Sequence, residues 1–486
     1  MSRKLEELVP HDKENEVLKM YNCGPTVYSR QHIGNYRAFA EWDILHRALE
    51  YLGYKVERIV NITDVGHMTA DEDFGEDKME KSASESGKDP LVIADDVIAT
   101  FLEDLQALNI LHPDGTMIKD EDVDPQRVKE HNWTRATQYV EEMIEVIKRI
   151  ERNGYTYETE QALYFDIAKF PSYTDMSGQS LDEKEVGVRD EVNIDPGKRH
   201  PADFVLWMKL YGKYKNHIMK WDSPWGIGFP GWHIECSAMG WSELGEYIDI
   251  HTGGVEHIGV HHSNERAQNY GAFGHDLVRM WVHNAWLVGK KGEKMSKSEG
   301  KVFTVPELVD MGFSALDLRY YYLSVKYRKP LYFSIEGLES ARSSRASLLS
   351  KIASLLSDLN INVDHLSEED VDPEMKKKFM TALSNDLNIS EALAVLNEVL
   401  NSDLEKRTIL ATIKSFDKVL GLDLLDQRRS KEDNSELLKE LLEARGKARM
   451  EKDYKRSDDL REEIEKLGYS VKDTSEGQKV SRIITV

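Results

Sequence analysis

Cys23-Gly-Pro-Thr-Val-Tyr-Ser-Arg-Gln-His-Ile-Gly-Asn35 lies between a short apolar run and a long helical repeat. The apolar run, residues 17–21, predicts a buried strand. After the quoted stretch, apolar side chains recur every three or four positions, which predicts an amphipathic helix; they are Tyr36, Phe39, Trp42, Leu45, Leu49 and Leu52. The Gly-Pro pair inside the stretch favours a tight turn. We therefore expect a strand, a loop and a helix that begins near His32.

A helix that begins in this way can bind phosphate. Its first amides have no partner inside the helix, and the helix dipole is positive at that end. Gly34 has no Cβ, so a ligand can come close to the backbone. A short motif of this kind also occurs at many ordinary capped helices, so by itself it does not establish a phosphate site.

A second polar segment, Lys-Met-Ser-Lys-Ser at 294–298, follows a predicted strand at 281–288. Glycines on both sides of the segment suit a mobile loop. The two lysines, Lys294 and Lys297, can close over phosphates if the loop moves. A solvated basic loop is the alternative interpretation.

The His-Ile-Gly-Asn and Lys-Met-Ser-Lys-Ser segments resemble the two signature sequences of class I aminoacyl-tRNA synthetases. Cys-Gly-Pro-Thr-Val-Tyr at 23–28 and Gly-Trp-His-Ile-Glu-Cys-Ser-Ala-Met at 231–239 narrow this resemblance to the cysteinyl-tRNA synthetases. It covers nearly the whole chain. The resemblance implies an enzyme that activates L-cysteine with ATP and transfers it to the 3′ end of tRNA(Cys).

Composition is consistent with an enzyme of several domains. The chain has 486 residues, of which 40% are hydrophobic and 31% charged, and this length predicts roughly two to four domains. The formal net charge of −23 argues against a nonspecific nucleic-acid binder, so any RNA-binding surface must be local. No apolar run has membrane-spanning length and the N-terminus has no signal-peptide pattern. We expect a cytoplasmic monomer with no membrane partner.

The predicted fold class is α/β. Residues 17–62 have a strand–helix–strand pattern, which predicts the start of a parallel, Rossmann-like sheet. Residues 63–201 are expected to be an insertion, with helices at 90–108 and 133–152 and a hairpin at 154–167. The sheet is then expected to resume with strands near 203–207, 247–251 and 281–288.

The remainder of the chain is predicted to be mostly helical. Helical patterns cover 305–327, 335–359, 373–400 and 408–420, and short strands are expected around 469–471 and 480–486. The resemblance implies a catalytic domain at 1–325, a helical bundle at 326–426 and a small mixed anticodon-binding domain at 436–486. A charged linker is expected at 427–435.

The only two cysteines, Cys23 and Cys236, lie 213 positions apart. A disulfide is disfavoured in a cytosolic chain, and two inert buried thiols are a further alternative. His261 and Glu265 are four positions apart and would share a helix face. Two thiols, an imidazole and a carboxylate can hold zinc. Spacing does not distinguish His261 from the other candidate histidines, which are His251, His257 and His262.

The resemblance assigns one Zn²⁺ per chain to Cys23, Cys236, His261 and Glu265. Such an ion would let the enzyme recognise cysteine by its sulfur. Serine differs from cysteine by one atom, and a pocket of ordinary size separates such isosteres poorly. Zinc favours a thiolate ligand over a hydroxyl. Trp232 is expected to form one wall of the pocket, with plain core packing as the alternative.

The resemblance also implies roles for the other motif residues. The expected catalytic residues are His32, Asn35, Lys294 and Lys297. The expected contacts to ATP or cysteine are Gly24, Thr26, Gly34, Trp232, His251, Gly253, Gly254 and Lys297. Mg²⁺ is expected to bridge the phosphates.

This chain departs from the family pattern at a few positions. Thr252 and Glu256 stand where glycine and aspartate are usual, and Phe229 replaces an arginine. Glu256 is therefore only a candidate ribose ligand. An acidic run at 71–77, which ends at Asp77, separates the second strand from Lys78, so no role is assigned to Asp77 or Lys78.

Two other functions remain open on the sequence alone. One is a related ligase that joins cysteine to an amino sugar, although such ligases lack C-terminal RNA-binding modules. The other is a noncatalytic RNA-binding paralogue, which would be expected to lose signature residues. The C-terminal tail favours a function that involves RNA, because residues 445–456 carry six basic and two acidic side chains, a local charge of +4. An ordinary solvated helix is the alternative for this segment.

Overall fold

The structure is a computed structural model that describes residues 5–14, 16–65, 79, 82–84, 87–179, 195–289, 302–359, 362–467, 469–474 and 477–482. The chain forms two compact units. The first comprises Met1–Gln31, Gly53–Gln106 and Leu111–Ala285, and the second comprises His32–Leu52, Ala107–Ile110 and Trp286–Val486. The predicted lysine loop at 294–298, the acidic run at 71–77 and Lys78 lie outside the described residues.

The strands, in chain order, are β1 (Val17–Asn22), β2 (Lys55–Ile62), β3 (Trp133–Arg135), β4 (Thr156–Glu158), β5 (Ala162–Phe165), β6 (Phe204–Lys209), β7 (Gly228–Pro230), β8 (Ile248–Gly254), β9 (Val278–Asn284), β10 (Leu287–Val288), β11 (Leu331–Tyr332), β12 (Tyr469–Thr474) and β13 (Gly477–Arg482).

The α-helices, in chain order, are α1 (Ile33–Tyr51), α2 (Pro90–Ala107), α3 (Val140–Arg152), α4 (Trp232–Leu244), α5 (His261–Phe273), α6 (Val305–Asp310), α7 (Ala315–Leu323), α8 (Ile335–Leu359), α9 (Pro373–Ser384), α10 (Ile389–Leu400), α11 (Lys406–Leu420), α12 (Gln427–Met450) and α13 (Tyr454–Lys466).

The first unit is built on a five-stranded sheet in the order β3-β2-β1-β8-β9. All neighbouring strands in it are parallel, so the prediction of a parallel, Rossmann-like sheet is confirmed. The chain moves outward from β1 to β3 on one side and from β8 to β9 on the other. Ligands bind at the carboxyl ends of the strands where such a reversal occurs. Cys23 follows β1 at this position, and His251 lies in β8.

Two predictions for the first unit are wrong. The expected helix at 133–152 begins only at Val140, and Trp133–Arg135 is an edge strand beside β2. The buried Trp133 side chain favours this position over a helix start. The expected strand near 203–207 exists as β6, but it pairs antiparallel with β5 and β7 in a separate four-stranded sheet. A short apolar run predicts a buried strand without indicating which sheet takes it.

The second unit contains α1 and the C-terminal helices. The predicted helix at 305–327 is broken into α6 and α7, because Gly312 takes a φ of +89°. The predicted helix at 373–400 is broken into α9 and α10, where Asp386 has a φ of 55°. Residues 427–435, predicted to be a linker, form the first part of helix α12.

Candidate active site

Four side chains that the sequence singled out come together in the first unit. Cys23 follows β1, Cys236 lies in α4, and His261 and Glu265 occupy the first two turns of α5. One ligand atom from each lies within 4.8 Å of the others. His261 Nε2 is 2.9 Å from Glu265 Oε1 and 3.5 Å from Cys236 Sγ. The spacing of α5 therefore places the imidazole and the carboxylate side by side, as predicted.

Two further histidines lie in the same cluster. His251 Nε2 is 3.0 Å from Glu265 Oε2 and 3.9 Å from Cys23 Sγ. His262 Nε2 is 3.4 Å from Cys23 Sγ. Cys23, His251, His262 and Glu265 thus form a second set of possible ligands that shares two members with the first. His251 is expected from the sequence to contact ATP or the substrate cysteine, and its ring lies beside Cys23 Sγ and Glu265 Oε2.

The outer nitrogens of these imidazoles have partners. His251 Nδ1 donates to the Tyr21 carbonyl at 3.0 Å, so in the neutral ring the lone pair is on Nε2. His262 Nδ1 is 2.8 Å from His283 Nε2. His261 Nδ1 is 2.9 Å from Nδ1 of His233. Such outer contacts orient an imidazole so that its other nitrogen can bind a metal.

Burial opposes every charge in the cluster. Neighbouring groups outweigh burial at Cys23, Glu265, His251 and His261, but at His262 burial prevails and lowers the pKa to about 4. Burial raises the pKa of the Cys23 thiol, while hydrogen bonding to Cys236 brings that pKa well below its ordinary value. Burial also raises the pKa of Glu265, but His251 and His261 lower it overall. For both imidazoles, burial lowers the pKa and Glu265 raises it to about 10. Two anions are thus balanced by two protonated rings, and a divalent cation can take the place of those protons.

The donor set fits zinc. Thiolate and imidazole donors with one carboxylate are typical of Zn²⁺, whereas Mg²⁺ prefers oxygen donors alone. Cys236 must lose a proton to join the ligands, since its hydrogen bond with Cys23 and its burial raise the pKa of its thiol. Binding of a metal ion here would therefore be coupled to proton release.

A third group, His112, Asp122 and His131, has donor atoms equally close together but does not suit one ion. The two imidazoles stack with centroids 3.9 Å apart and planes within 7° of parallel. Their lone pairs lie in two separate planes, so a single ion cannot lie in both. In addition, Trp133 Nε1 donates to His112 Nδ1 at 3.0 Å, which puts the proton of a neutral His112 on Nε2.

His32 caps helix α1 in the second unit. The Gly34 amide donates to His32 Nδ1 at 3.1 Å, and the His32 amide donates to Asn35 Oδ1 at 3.1 Å. The Ile33 amide donates to the Phe303 carbonyl at 2.9 Å. The first amides, which the sequence predicted to be open for phosphate, therefore have partners. Because Nδ1 accepts, the proton of the neutral His32 ring is on Nε2.

The predicted glycines have distinct surroundings. A Cβ on Gly24 would lie 1.6 Å from the Asn61 carbonyl oxygen, so this glycine permits a close approach of two backbone segments. A Cβ on Gly253 would lie 2.6 Å from His257 Nδ1. A Cβ on Gly254 would lie 2.1 Å from Glu256 Oε2. At each of these glycines, the position that a Cβ would take is already occupied by protein atoms.

Trp232 and Thr26 are close in sequence to the two cysteines of the cluster, Cys236 and Cys23 respectively. The Trp232 ring stacks on His261, with centroids 4.1 Å apart, so it lies against the cluster. Thr26 forms an isolated bridge with Thr63 beyond the ends of β1 and β2. Thr63 in turn donates to Glu235 Oε2 at 2.9 Å. Sequence reasoning missed the buried Glu235, because nothing but its position beside Cys236 could have indicated it.

The basic window of the tail is smaller than the sequence suggests. Arg445 is fully buried and donates to Asp473 at 2.9 and 2.8 Å. Arg449 also contacts Asp473, at 2.8 Å. The remaining basic side chains of the window are exposed; they are Lys447, Lys452, Lys455 and Arg456.

Two family models match the chain. One, tRNA synthetases class I (C) catalytic domain, matches residues 9–343. The other, cysteinyl-tRNA ligase anticodon binding domain, matches residues 432–480.

Similar proteins align over almost the full length. The cysteine–tRNA ligase of Treponema denticola is 41% identical, with 97% of this chain and 96% of the relative covered. Cysteine–tRNA ligase 1 of Burkholderia lata is 40% identical, with 95% and 92% covered. The cysteine–tRNA ligase of Borrelia turicatae is 39% identical, with 96% and 95% covered.

Solved structures agree in fold. A LeuRS–tRNA–LeuAMS ternary complex from Agrobacterium radiobacter gives a TM-score of 0.55 at 13% identity, covering 88% of this chain and 86% of that one. Mycobacterium tuberculosis methionyl-tRNA synthetase bound by methionyl-adenylate gives 0.54 at 14% identity, covering 87% and 94%. Among the described residues, the helices are all too short or too polar to span a membrane.

Proposed function

The chain belongs to the cysteinyl-tRNA synthetase family, and from that premise we propose how its residues divide the work of the reaction. It is a cysteine–tRNA ligase that uses ATP. The match of both family models, together with relatives aligned over nearly the whole chain, carries this conclusion. In the first step the cysteine carboxylate attacks the α-phosphorus of ATP and diphosphate leaves. In the second step a terminal ribose hydroxyl of tRNA attacks the adenylate carbonyl and AMP leaves.

Cys23, Cys236, His261 and Glu265 would hold one zinc ion. This proposal is supported by the chemistry of the four donors, by the burial of Cys236, His261 and Glu265, and by the 4.8 Å within which all four ligand atoms lie. When bound, the ion would supply a Lewis acid that takes the substrate thiolate as a further ligand. His251 and His262 lie beside Cys23 Sγ, and Trp232 packs over the His261 ring.

His32 would stabilise the departing diphosphate. Charge grows on the diphosphate oxygens in the transition state, and a fixed donor is most effective there. The hydrogen bond between Gly34 and His32 Nδ1 supports this role, because it leaves the ring proton on Nε2. Asn35 would act indirectly, since its side chain accepts from the His32 amide. Positioning counts for more than acid–base chemistry, because the attacking carboxylate has no proton to lose.

Lys294 and Lys297 would neutralise the same phosphates, together with the Mg²⁺ that accompanies ATP. Gly34, Gly253 and Gly254 would border the nucleotide, as would Gly24 and Thr26. For these residues the family resemblance is the support. Glu256 stays a candidate ribose ligand.

The tail would bind the anticodon end of tRNA(Cys). The anticodon-binding model matches residues 432–480, and five exposed basic side chains lie between 447 and 456, of which Arg449 also contacts Asp473. Phosphate contacts by such side chains give salt-dependent affinity. We also propose the division into a catalytic domain at 1–325, a bundle at 326–426 and an anticodon-binding domain at 436–486. Cytoplasmic location and a monomeric state remain predictions.

The alternative of a cysteine ligase acting on an amino sugar is not supported, because the chain carries a matched anticodon-binding domain and aligns end to end with tRNA ligases. Cysteine-dependent exchange of radioactive diphosphate into ATP measures the first step. Charging of a tRNA(Cys) transcript measures the second. Exchange without charging, combined with cysteine transfer to glucosamine derivatives, would contradict the assignment.

A further inference from the structure

Helix α7 contacts helix α1 at two points. The Tyr322 hydroxyl donates to the Ile33 carbonyl at 2.6 Å, and Arg319 Nη2 donates to Asp43 Oδ2 at 2.6 Å. Tyr322 and Arg319 are three positions apart, so they lie on the same face of α7. Both side chains are fully buried. These contacts fix α1 along its first three turns.

The Tyr322 contact acts where the chain enters α1. Ile33 is the first helical residue and lies directly between His32 and Gly34. Its amide is held by Phe303 and its carbonyl by Tyr322, so its backbone is fixed by residues outside α1 on both sides. The His32 ring is in turn held by the Gly34 amide. A shift of the Ile33 backbone would therefore move the imidazole.

Arg319 anchors α7 itself. Besides Asp43, its guanidinium donates to main-chain carbonyls of Leu108, Asn109 and Leu420 at 2.8–3.1 Å. Leu420 is the last residue of α11, where a cation also interacts well with the helix dipole. With so many bonds to one side chain, α7 has little freedom to move along α1. The position of Tyr322 relative to α1 is therefore well fixed.

The Tyr322 hydroxyl is not needed to form α1. The α-helical repeat already supplies the Ile33 carbonyl with a donor four positions later, and phenylalanine would fill the same space. We propose that Tyr322 is a positioning residue that holds the first turn of α1 so that His32 reaches the phosphates. This inference rests on the proposed role of His32. If the hydroxyl served only its own burial, its loss would affect stability and not the rate.

The test compares Tyr322→Phe with Tyr321→Phe in the full-length enzyme. Tyr321 is a matched control, because it is the neighbouring residue on α7, is also buried, and donates to a different carbonyl, that of Tyr332, at 2.5 Å. We expect Tyr322→Phe to lower kcat of diphosphate exchange by about tenfold without changing KM for cysteine. Tyr321→Phe should leave both constants unchanged, and the two variants should melt at similar temperatures.

A double-mutant cycle separates positioning from general stabilisation. If Tyr322 acts through His32, Tyr322→Phe should have no further effect on the rate in a His32→Ala background. The same tenfold loss in that background, or equal rates for Tyr322→Phe and Tyr321→Phe, would overturn the inference. An unchanged rate in His32→Ala alone would instead contradict the proposed role of His32, so the two failures are distinguishable.

Discussion

Nδ1 of His32 accepts a 3.1 Å hydrogen bond from the amide of Gly34, so His32 caps the helix that it begins. This bond takes one of the amides that a phosphate would otherwise use. It also places the proton of the neutral imidazole on Nε2. The donor that acts on diphosphate is therefore expected to be the ring and not the backbone of this turn.

Substitution of His32 can separate capping from catalysis. His32→Ala removes both the cap and the donor, so it should lower the exchange rate by about a hundredfold and cost roughly 1 kcal/mol of stability. His32→Asn keeps a capping oxygen and loses the Nε2 proton, so it should melt like the wild type and remain slow. Recovery of the rate in His32→Asn would show that the cap alone matters.

The possible metal ligands form two overlapping sets, so substitutions can show which of the two sets holds an ion. We expect close to one zinc ion per chain by elemental analysis of the purified enzyme. Cys236→Ala should lose most of the metal, whereas His262→Asn should keep it, because His262 belongs only to the second set. The reverse pattern would assign the ion to Cys23, His251, His262 and Glu265. Folded, active protein without zinc would contradict both sets.

His112 should make stability depend on pH. Burial lowers the pKa of His112 to about 4, and the neighbouring His131 lowers it as well, while Asp114 and Asp122 act in the opposite direction. An unfolded histidine titrates near 6.5, so between these values the unfolded chain binds more protons. The stabilising contribution of the neutral ring is complete above about pH 6.5 and is lost as the pH falls toward 4.

Thermal melts of His112→Gln can check this. Glutamine keeps an acceptor for Trp133 but does not titrate. Its melting temperature should fall less than that of the wild type between pH 6.5 and 4.5, and His365→Gln, at an exposed position, should follow the wild type. Parallel curves for wild type and His112→Gln would refute the argument.

The tail should matter for tRNA and not for activation. Replacement of Lys447, Lys452 and Lys455 by alanine should leave diphosphate exchange unchanged and raise KM for tRNA. The slope of log affinity against log salt should fall by about one for each lysine that pairs with a phosphate in the wild type. A chain that ends at Leu425 should likewise keep diphosphate exchange, and its KM for tRNA should rise further. Unimpaired charging by the shortened chain would remove the tail from the mechanism.

Regular local patterns made much of the fold predictable. Short apolar runs predict the two strands of the 17–62 unit, and apolar residues at three- and four-residue spacing predict the helix between them. The structure confirms all three elements. The helix breaks at Gly312 and Asp386 were missed, because only the backbone conformation distinguishes a tolerated residue from a break. The sheet that takes β6 was also missed, since strand pairing depends on distant partners.

At the candidate site, the spacing of residues within a motif could be interpreted from the sequence. Contacts between residues distant in sequence could not. The four predicted ligands come together, but helix spacing accounts only for His261 and Glu265, which lie on one face of α5. The proximity of His251 to Cys23 could not be predicted, because it depends on the pairing of β8 with β1. Nor could the sequence predict that the Ile33 amide at the start of α1 donates to the carbonyl of Phe303, a residue distant in sequence.

The most direct test of this account is the comparison of cysteine with serine in diphosphate exchange by the wild-type enzyme. If a metal held by Cys23, Cys236, His261 and Glu265 recognises the substrate sulfur, serine should be activated more than about a hundredfold less well than cysteine, even at high concentration. Serine activation within about tenfold of cysteine would indicate a pocket that reads size alone and would contradict recognition through the metal.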